Sequence, residues 1–251
     1  MTVFVFKICY TQNMKNSLCK LKKIYKNGFT LAEVLITLVI IGVVAAMTIP
    51  TLSKNTDEKS NIIAFKKVYS AISQVNLMLN NESGGDWTTQ CSDFNNRCFR
   101  DLFAKKMSVT KICDNPLSEG CVASSKFLNG ATTAHPMGVN DSWPALVTSS
   151  GYSIKFRFHL NGCVPDGTVE GRQYTNLSCG WVQIDTNGHK TPNVVGKDIF
   201  FLEILPDRSV KPFGSDGDIS EYGGKTAEQM KNDCYNGSGM YCGYIYLMES
   251  K

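Results

Sequence analysis

Histidine is scarce in this chain. Three stand among 251 residues, His135, His159 and His189, and none sits in H-E-x-x-H. The G-x-S-x-G elbow, the phosphate-cradling G-x-x-x-x-G-K loop and the G-x-G-x-x-G turn are missing too. No two of the ten cysteines form C-x-x-C, which leaves zinc ligation and thioredoxin-like exchange without their usual spacing. These absences remove the catalytic routes that leave a short signature, and no enzyme is expected. Acidic residues are also missing from residues 1–28, where six lysines stand alone: Lys7, Lys15, Lys20, Lys22, Lys23 and Lys26.

That leader accounts for the net charge of +4. Without it, 20 basic residues face 22 acidic ones, so the rest of the chain has no bias towards nucleic acid or anionic lipid. Immediately after it, Phe29 to Pro50 is almost wholly apolar. As a helix this segment is long enough to cross ~30 Å of hydrocarbon. The lysine-rich flank is the end that stays in the cytoplasm. One acid, Glu33, interrupts the segment near its start, and a carboxylate in that setting is a functional signal because burying it alone is expensive.

An ordinary secretory signal is cut after its apolar region at a small-residue site, for which Ala45-Ala46-Met47 is a poor match. The other reading is a cut before it, at Gly28/Phe29. Gly28, Phe29, Thr30, Leu31 and then Glu33, fifth after the junction, resemble the class III signal of type IV prepilins and type II secretion pseudopilins. Gly42 and Pro50 fall where that family often carries Gly and Pro. The resemblance implies a membrane aspartyl prepilin peptidase that cuts after Gly28 and methylates the new Phe29 amine. It also implies other pilin or pseudopilin subunits and an inner-membrane assembly platform as partners. Gly28, lacking a side chain, can enter a tight protease site. The Phe29 ammonium of a neighbour offset along a filament can pair with Glu33, and in low dielectric such a pair demands good geometry and so sets register. Met14 offers a second start with a 15-residue leader; translation from there is expected, which would leave Cys9 out of the protein. The expected organisation is a leader at 1–28, a transmembrane and polymerisation helix at 29–50, and a periplasmic or extracellular domain at 51–251.

Eight cysteines follow the membrane segment: Cys91, Cys98, Cys113, Cys121, Cys163, Cys179, Cys234 and Cys242. An even number there points to an oxidising compartment. They allow 105 pairings, and short spacings favour the sequential set 91–98, 113–121, 163–179 and 234–242. A mixture of free thiols and fewer bridges is the other reading.

Pro50 is expected to kink or loosen the helix, with Thr51–Asn61 partly melted or Thr56-Asp57 capping a restart. Ile62, Phe65, Val68, Tyr69, Ile72, Val75, Asn76 and Leu79 then repeat at helical period to about Asn81, ahead of Gly84-Gly85. Residues 84–150 read as irregular, apart from a short helix at Cys98–Lys106, with a surface loop at Asn129–Ser142. Tyr152 to Leu160 alternates at period two and predicts a half-buried strand. Gly180–Asp185, Asp198–Leu205 and Ser209–Phe213 read as further strands. Lys225–Cys234 reads as a helix, and Gly243–Met248 as a strand or a helix. The fold class is α+β: a long N-terminal helix, half transmembrane and half amphipathic, packed on an antiparallel sheet, pilin-like and disulfide-bonded.

The stretch from Asp185 to Phe200 resembles a D-x-N-G…P-N…G-x-D-x-F pattern of prepilin-like proteins, some of which bind calcium near the sheet. Asp185, Asn187 and Asp198 offer oxygen ligands for such a cation. The other reading is a hairpin loop, with Asn187-Gly188 and Pro192-Asn193 as turns. Asp216, Asp218 and Glu221 read as a solvated turn. Lys155, Arg157 and His159 form a basic stripe on one strand face, expected to be solvated rather than to hold nucleic acid. Trp87, Trp143 and Trp181 read as core or loop anchors.

Overall fold

A 52-residue helix dominates the computed structural model, which describes residues 3–12, 16–25, 29–132, 143–159, 163, 167–169, 172–174, 178–215 and 226–248. Two compact units divide the chain, Met1–Asn55 and Thr56–Lys251. In the first, the leader forms an antiparallel hairpin of β1 (Val3–Gln12) and β2 (Asn16–Tyr25), with Cys9 opposite Cys19. Met14, the second candidate start, lies outside the described residues. Helix α1 (Leu31–Glu82) begins in this unit and continues into the next.

The expected melting of Thr51–Asn61 and restart at Thr56-Asp57 do not occur, because α1 is helical throughout. A proline inside a helix forfeits one backbone bond and costs about 3 kcal/mol. Propagation needs no new nucleus on either side of that single loss. The predicted amphipathic stripe is present in the second unit: Phe65, Val68, Ile72, Val75, Asn76 and Leu79 are all buried. Gly84 and Gly85, at φ +71° and +111°, end the helix in the left-handed region that side chains resist.

The sheet of the second unit has six strands, each pair antiparallel. In spatial order they are β3 (Val109–Cys113), β4 (Ala145–Thr148), β5 (Ser153–Phe158), β8 (Gly180–Asp185), β9 (Ile199–Ile204) and β10 (Val210–Pro212). A two-stranded ribbon, β6 (Gly167–Val169) and β7 (Arg172–Tyr174), lies between β5 and β8 in sequence. Strands β3 and β4 fall in the region read as irregular. The first exposes Thr110, Lys111 and Ile112 in succession, and the second is four residues long, so neither displays an alternating pattern. Helix α2 (Asn96–Ala104) is capped by the Asn95 side chain, which accepts from the Cys98 N–H at 3.1 Å. Helix α3 (Ala227–Asn236) starts with a capping box between Thr226 and Gln229. The ambiguous last segment is helix α4 (Cys242–Met248).

One sheet face packs under α1, α2 and α4. Ile154, Phe156, Phe158, Val182, Ile184, Phe200, Leu202 and Ile204 meet Phe65, Ile72, Phe99, Phe103 and Ile245 in one apolar cluster. Phe65 stacks on Phe200 at 4.5 Å, and Trp87 stacks on Phe99 at 5.2 Å. The other face is covered too. Trp143, Trp181, Ile199, Phe201 and Phe213 pack against Phe127, Val195, Met240, Tyr241 and Met230 of α3. Strand β5 is therefore buried on both faces, not half-buried. The fold is α+β, with an apolar N-terminal helix, an antiparallel sheet and four disulfides: Cys91–Cys98, Cys113–Cys121, Cys163–Cys179 and Cys234–Cys242.

Candidate processing and assembly site

Glu33 is held by its own helix terminus. Thr30 immediately precedes α1, and its N–H and hydroxyl both donate to Glu33 Oε2, at 2.8 and 2.9 Å. In return the Glu33 N–H donates to Thr30 Oγ1 at 3.2 Å. This reciprocal pair is a capping box, and it satisfies backbone donors that the first helical turn would otherwise leave open. The signature T-x-x-E, Thr30 to Glu33, stands in the sequence and was missed beside the more obvious apolar run. Glu33 Oε1 keeps no partner among the described residues.

Beyond the cap, Leu31–Ile49 has a mean hydropathy of 2.5 and none of it is buried. Leu31, Leu35, Ile36, Leu38, Val39 and Ile41 are all exposed, so apolar surface faces outward on every side. A helix apolar all round requires a nonaqueous neighbour, either lipid or other helices. Its threonines do not oppose this, because Thr37 and Thr48 return their hydroxyls to the Val34 and Val44 carbonyls at 2.9 Å each. Phe29 is 87% exposed at the head of this helix. Gly28, the other half of the expected cleavage junction, lies outside the described residues.

The Asp185–Asp198 loop brings its three predicted ligands together. Asp185 Oδ1 accepts the N–H groups of Asn187 and Gly188, at 3.1 and 2.8 Å. Asp198 Oδ2 accepts from Asn187 Nδ2 at 2.9 Å and from the Asn193 N–H at 2.7 Å, while Oδ1 takes the Val194 N–H at 2.7 Å. Five N–H groups thus point at the oxygens a hard cation would need. Asn187 Oδ1 and Asn193 Oδ1 are buried with no partner among the described residues. Asp185 Oδ2 accepts none of these five N–H groups. As arranged, the donor set is that of a hydrogen-bonded turn. Burial pushes the Asp185 carboxyl up to about 7, with the nearby Asp198 adding to the shift and Lys155 opposing it. Burial also raises Asp198. Asp185 shares a cavity of about 10 Å³ with Lys155, Gln183 and Ser153, room for about one water. The acidic group Asp216, Asp218 and Glu221 lies outside the described residues, as does His135.

The basic stripe is not solvated. Lys155 and His159 are buried, and Arg157 lies over the Trp143 and Trp181 rings at 5.2 and 5.4 Å. His159 meets Trp181 edge-on at 4.4 Å, and its Nδ1 donates to the Ser178 carbonyl at 3.2 Å. Burial drives the imidazole down to about 3, and the neighbouring Arg157 charge adds to the effect. Period two identifies a strand face, but the second layer that keeps this one dry comes from residues far along the chain. The tryptophans are core anchors as expected, all nearly inaccessible.

Sequence reasoning also missed a polar tie between α1 and the turn after β9. Buried Asn76 accepts from Trp87 Nε1 at 2.8 Å and donates to the Arg208 carbonyl. The Arg208 guanidinium grips the Asp86 carboxylate and holds its pKa at about 2.

Comparison with known families matches residues 24–49 to the prokaryotic N-terminal methylation motif. Comparison with curated proteins and with solved structures returns no match. The matched segment spans the Gly28/Phe29 junction, Glu33 and the exposed apolar helix. Proteins with this motif are structural and membrane-anchored through that helix. By its N-terminus, then, the chain carries the hallmark motif of the type IV prepilin and pseudopilin family.

Proposed function

We propose that the chain is a structural subunit, minor or specialised, of a type IV pilus or a type II secretion pseudopilus. It enters the inner membrane with its lysine leader in the cytoplasm and the Thr56–Lys251 unit outside. Prepilin peptidase cuts between Gly28 and Phe29, and the exposed apolar helix then exchanges lipid for the same helices of its neighbours. The observation that carries this reading is a fully exposed apolar helix headed by one acid within the methylation motif. The capping box adds a division of labour. Oε2 of Glu33 serves its own helix, which leaves Oε1 for the Phe29 amine of a neighbouring subunit.

The test compares two substitutions. Glu33→Gln keeps the capping box, since glutamine serves at that position, but removes the charge. Glu33→Ala removes both. Both variants are expected to be cleaved, giving a mature chain that begins at Phe29 by mass spectrometry, yet to be missing from filaments sheared off cells. Normal incorporation of Glu33→Gln would refute the charge-pairing role. A wild-type chain found only uncut would refute processing and favour a membrane-tethered binding protein.

A further inference from the structure

Each disulfide joins a cysteine to the next one along the chain, with sequence separations of 7, 8, 16 and 8. Among 105 arrangements, this one can be reached without any information from the fold. Each stretch between pairs is longer than the disulfide loops on either side of it: Cys98 to Cys113, Cys121 to Cys163 and Cys179 to Cys234. If closure probability falls as the three-halves power of loop length, each native partner beats the nearest wrong one by roughly 3- to 20-fold.

Burial sets the timing. Cys91, Cys113, Cys121, Cys163, Cys179, Cys234 and Cys242 are all buried, and Cys98 is half-buried. Once the domain has packed, no enzyme reaches most of these sulfurs. The bonds must form, and any wrong bond must be corrected, while the chain is still open. At that stage chain proximity is the only guide, and it selects the pairing found in the folded domain.

We propose that this chain acquires its disulfides in chain order as it emerges from the membrane, by direct reaction with a thiol oxidase that carries an exchangeable disulfide, and that it needs no disulfide isomerase. The inference rests on the export of the Thr56–Lys251 unit proposed above. In each cycle a cysteine thiolate attacks the oxidase disulfide. A mixed disulfide forms and one oxidase thiolate leaves. The thiolate of the next cysteine attacks the chain sulfur of that mixed disulfide, closing the bond within the chain and releasing the second oxidase thiolate. Two electrons and two protons pass from the cysteine pair to the oxidase, which ends as a dithiol.

The experiment expresses the full chain in wild-type cells, in cells lacking the isomerase and in cells lacking the oxidase. Free thiols are trapped by alkylation, and disulfide-linked peptides are read by mass spectrometry. The same four consecutive pairs are expected in wild-type and isomerase-deficient cells, with alkylated cysteines accumulating when the oxidase is lost. Non-consecutive peptides appearing only in isomerase-deficient cells would overturn the proposal and leave export standing. So would full pairing in oxidase-deficient cells. Eight alkylated cysteines in wild-type cells would overturn export and the proposal together.

Discussion

Two buried titratable groups on the second sheet face pull stability in opposite directions with pH, and Asp185→Asn separates them. Asp185 rises from 3.8 to about 7 in the folded domain, so between these values the folded chain keeps a proton that the unfolded chain has released. Its contribution is fully present below about pH 4 and is lost as pH rises towards 7. His159 falls from 6.5 to about 3, so across much of the same window the unfolded chain takes up a proton that the folded one refuses. Its contribution grows as pH rises from about 3 to 6.5. At about 1.4 kcal/mol per pH unit, each is worth at most about 4–5 kcal/mol. They nearly cancel, and Asp198 adds to the Asp185 side. Asparagine at position 185 keeps an oxygen for the Asn187 and Gly188 N–H groups while abolishing the titration. The Thr56–Lys251 unit contains all three apolar clusters, so the measurement is thermal unfolding of that unit, disulfides intact, from pH 4 to 7. Relative to wild type, the variant is expected to gain up to about 4 kcal/mol across this range. At roughly 2–4 °C per kcal/mol for a domain this size, that is a divergence of about 8–16 °C. Parallel curves would refute the reasoning. So would a variant destabilised equally at every pH, which would mean that Asp185 is ionised and held by Lys155.

Calcium or a chelator is expected to leave the melting temperature of the same unit unchanged, because three of the four Asp185 and Asp198 carboxylate oxygens already accept N–H donors; a rise with calcium would support a cation site there. Trp87→Ala is expected to cost about 3–5 kcal/mol by denaturant titration, since it empties the space beside Phe99 and Phe103. Trp87→Phe is expected to cost about 1–3 kcal/mol, chiefly because Asn76 Oδ1 loses its donor.

Legibility followed the physics of each signal. The apolar run with its Gly28 junction and Glu33 announced the site, because a charge in such a run is costly until a group outside the helix pairs with it. Strands β8 and β9 were readable almost to the residue, and so was the α1 stripe, since local periodicity reports a local burial pattern. The disulfides were readable because short loops close most easily. What failed depended on distance. Nothing near Lys155 or His159 reveals that Phe213, Met230 and Tyr241 form a layer over that face, and nothing near Thr110 shows that it lies on a sheet edge. The continuity of α1 through Thr51–Asn61 escaped because that polar stretch after Pro50 was weighed by itself, without the long helix on either side.

The tie at Arg208 bears on how the domain would carry tension. Asn76 and Asp86 lie on either side of the α1 terminus, and both end at Arg208, in the turn that leads into edge strand β10. A pull along α1 would load two directional bonds at that one turn together with the apolar interface. That turn joins β9 to β10 at the edge of the sheet, so a pull on α1 would reach the sheet at its margin as well as through the apolar core.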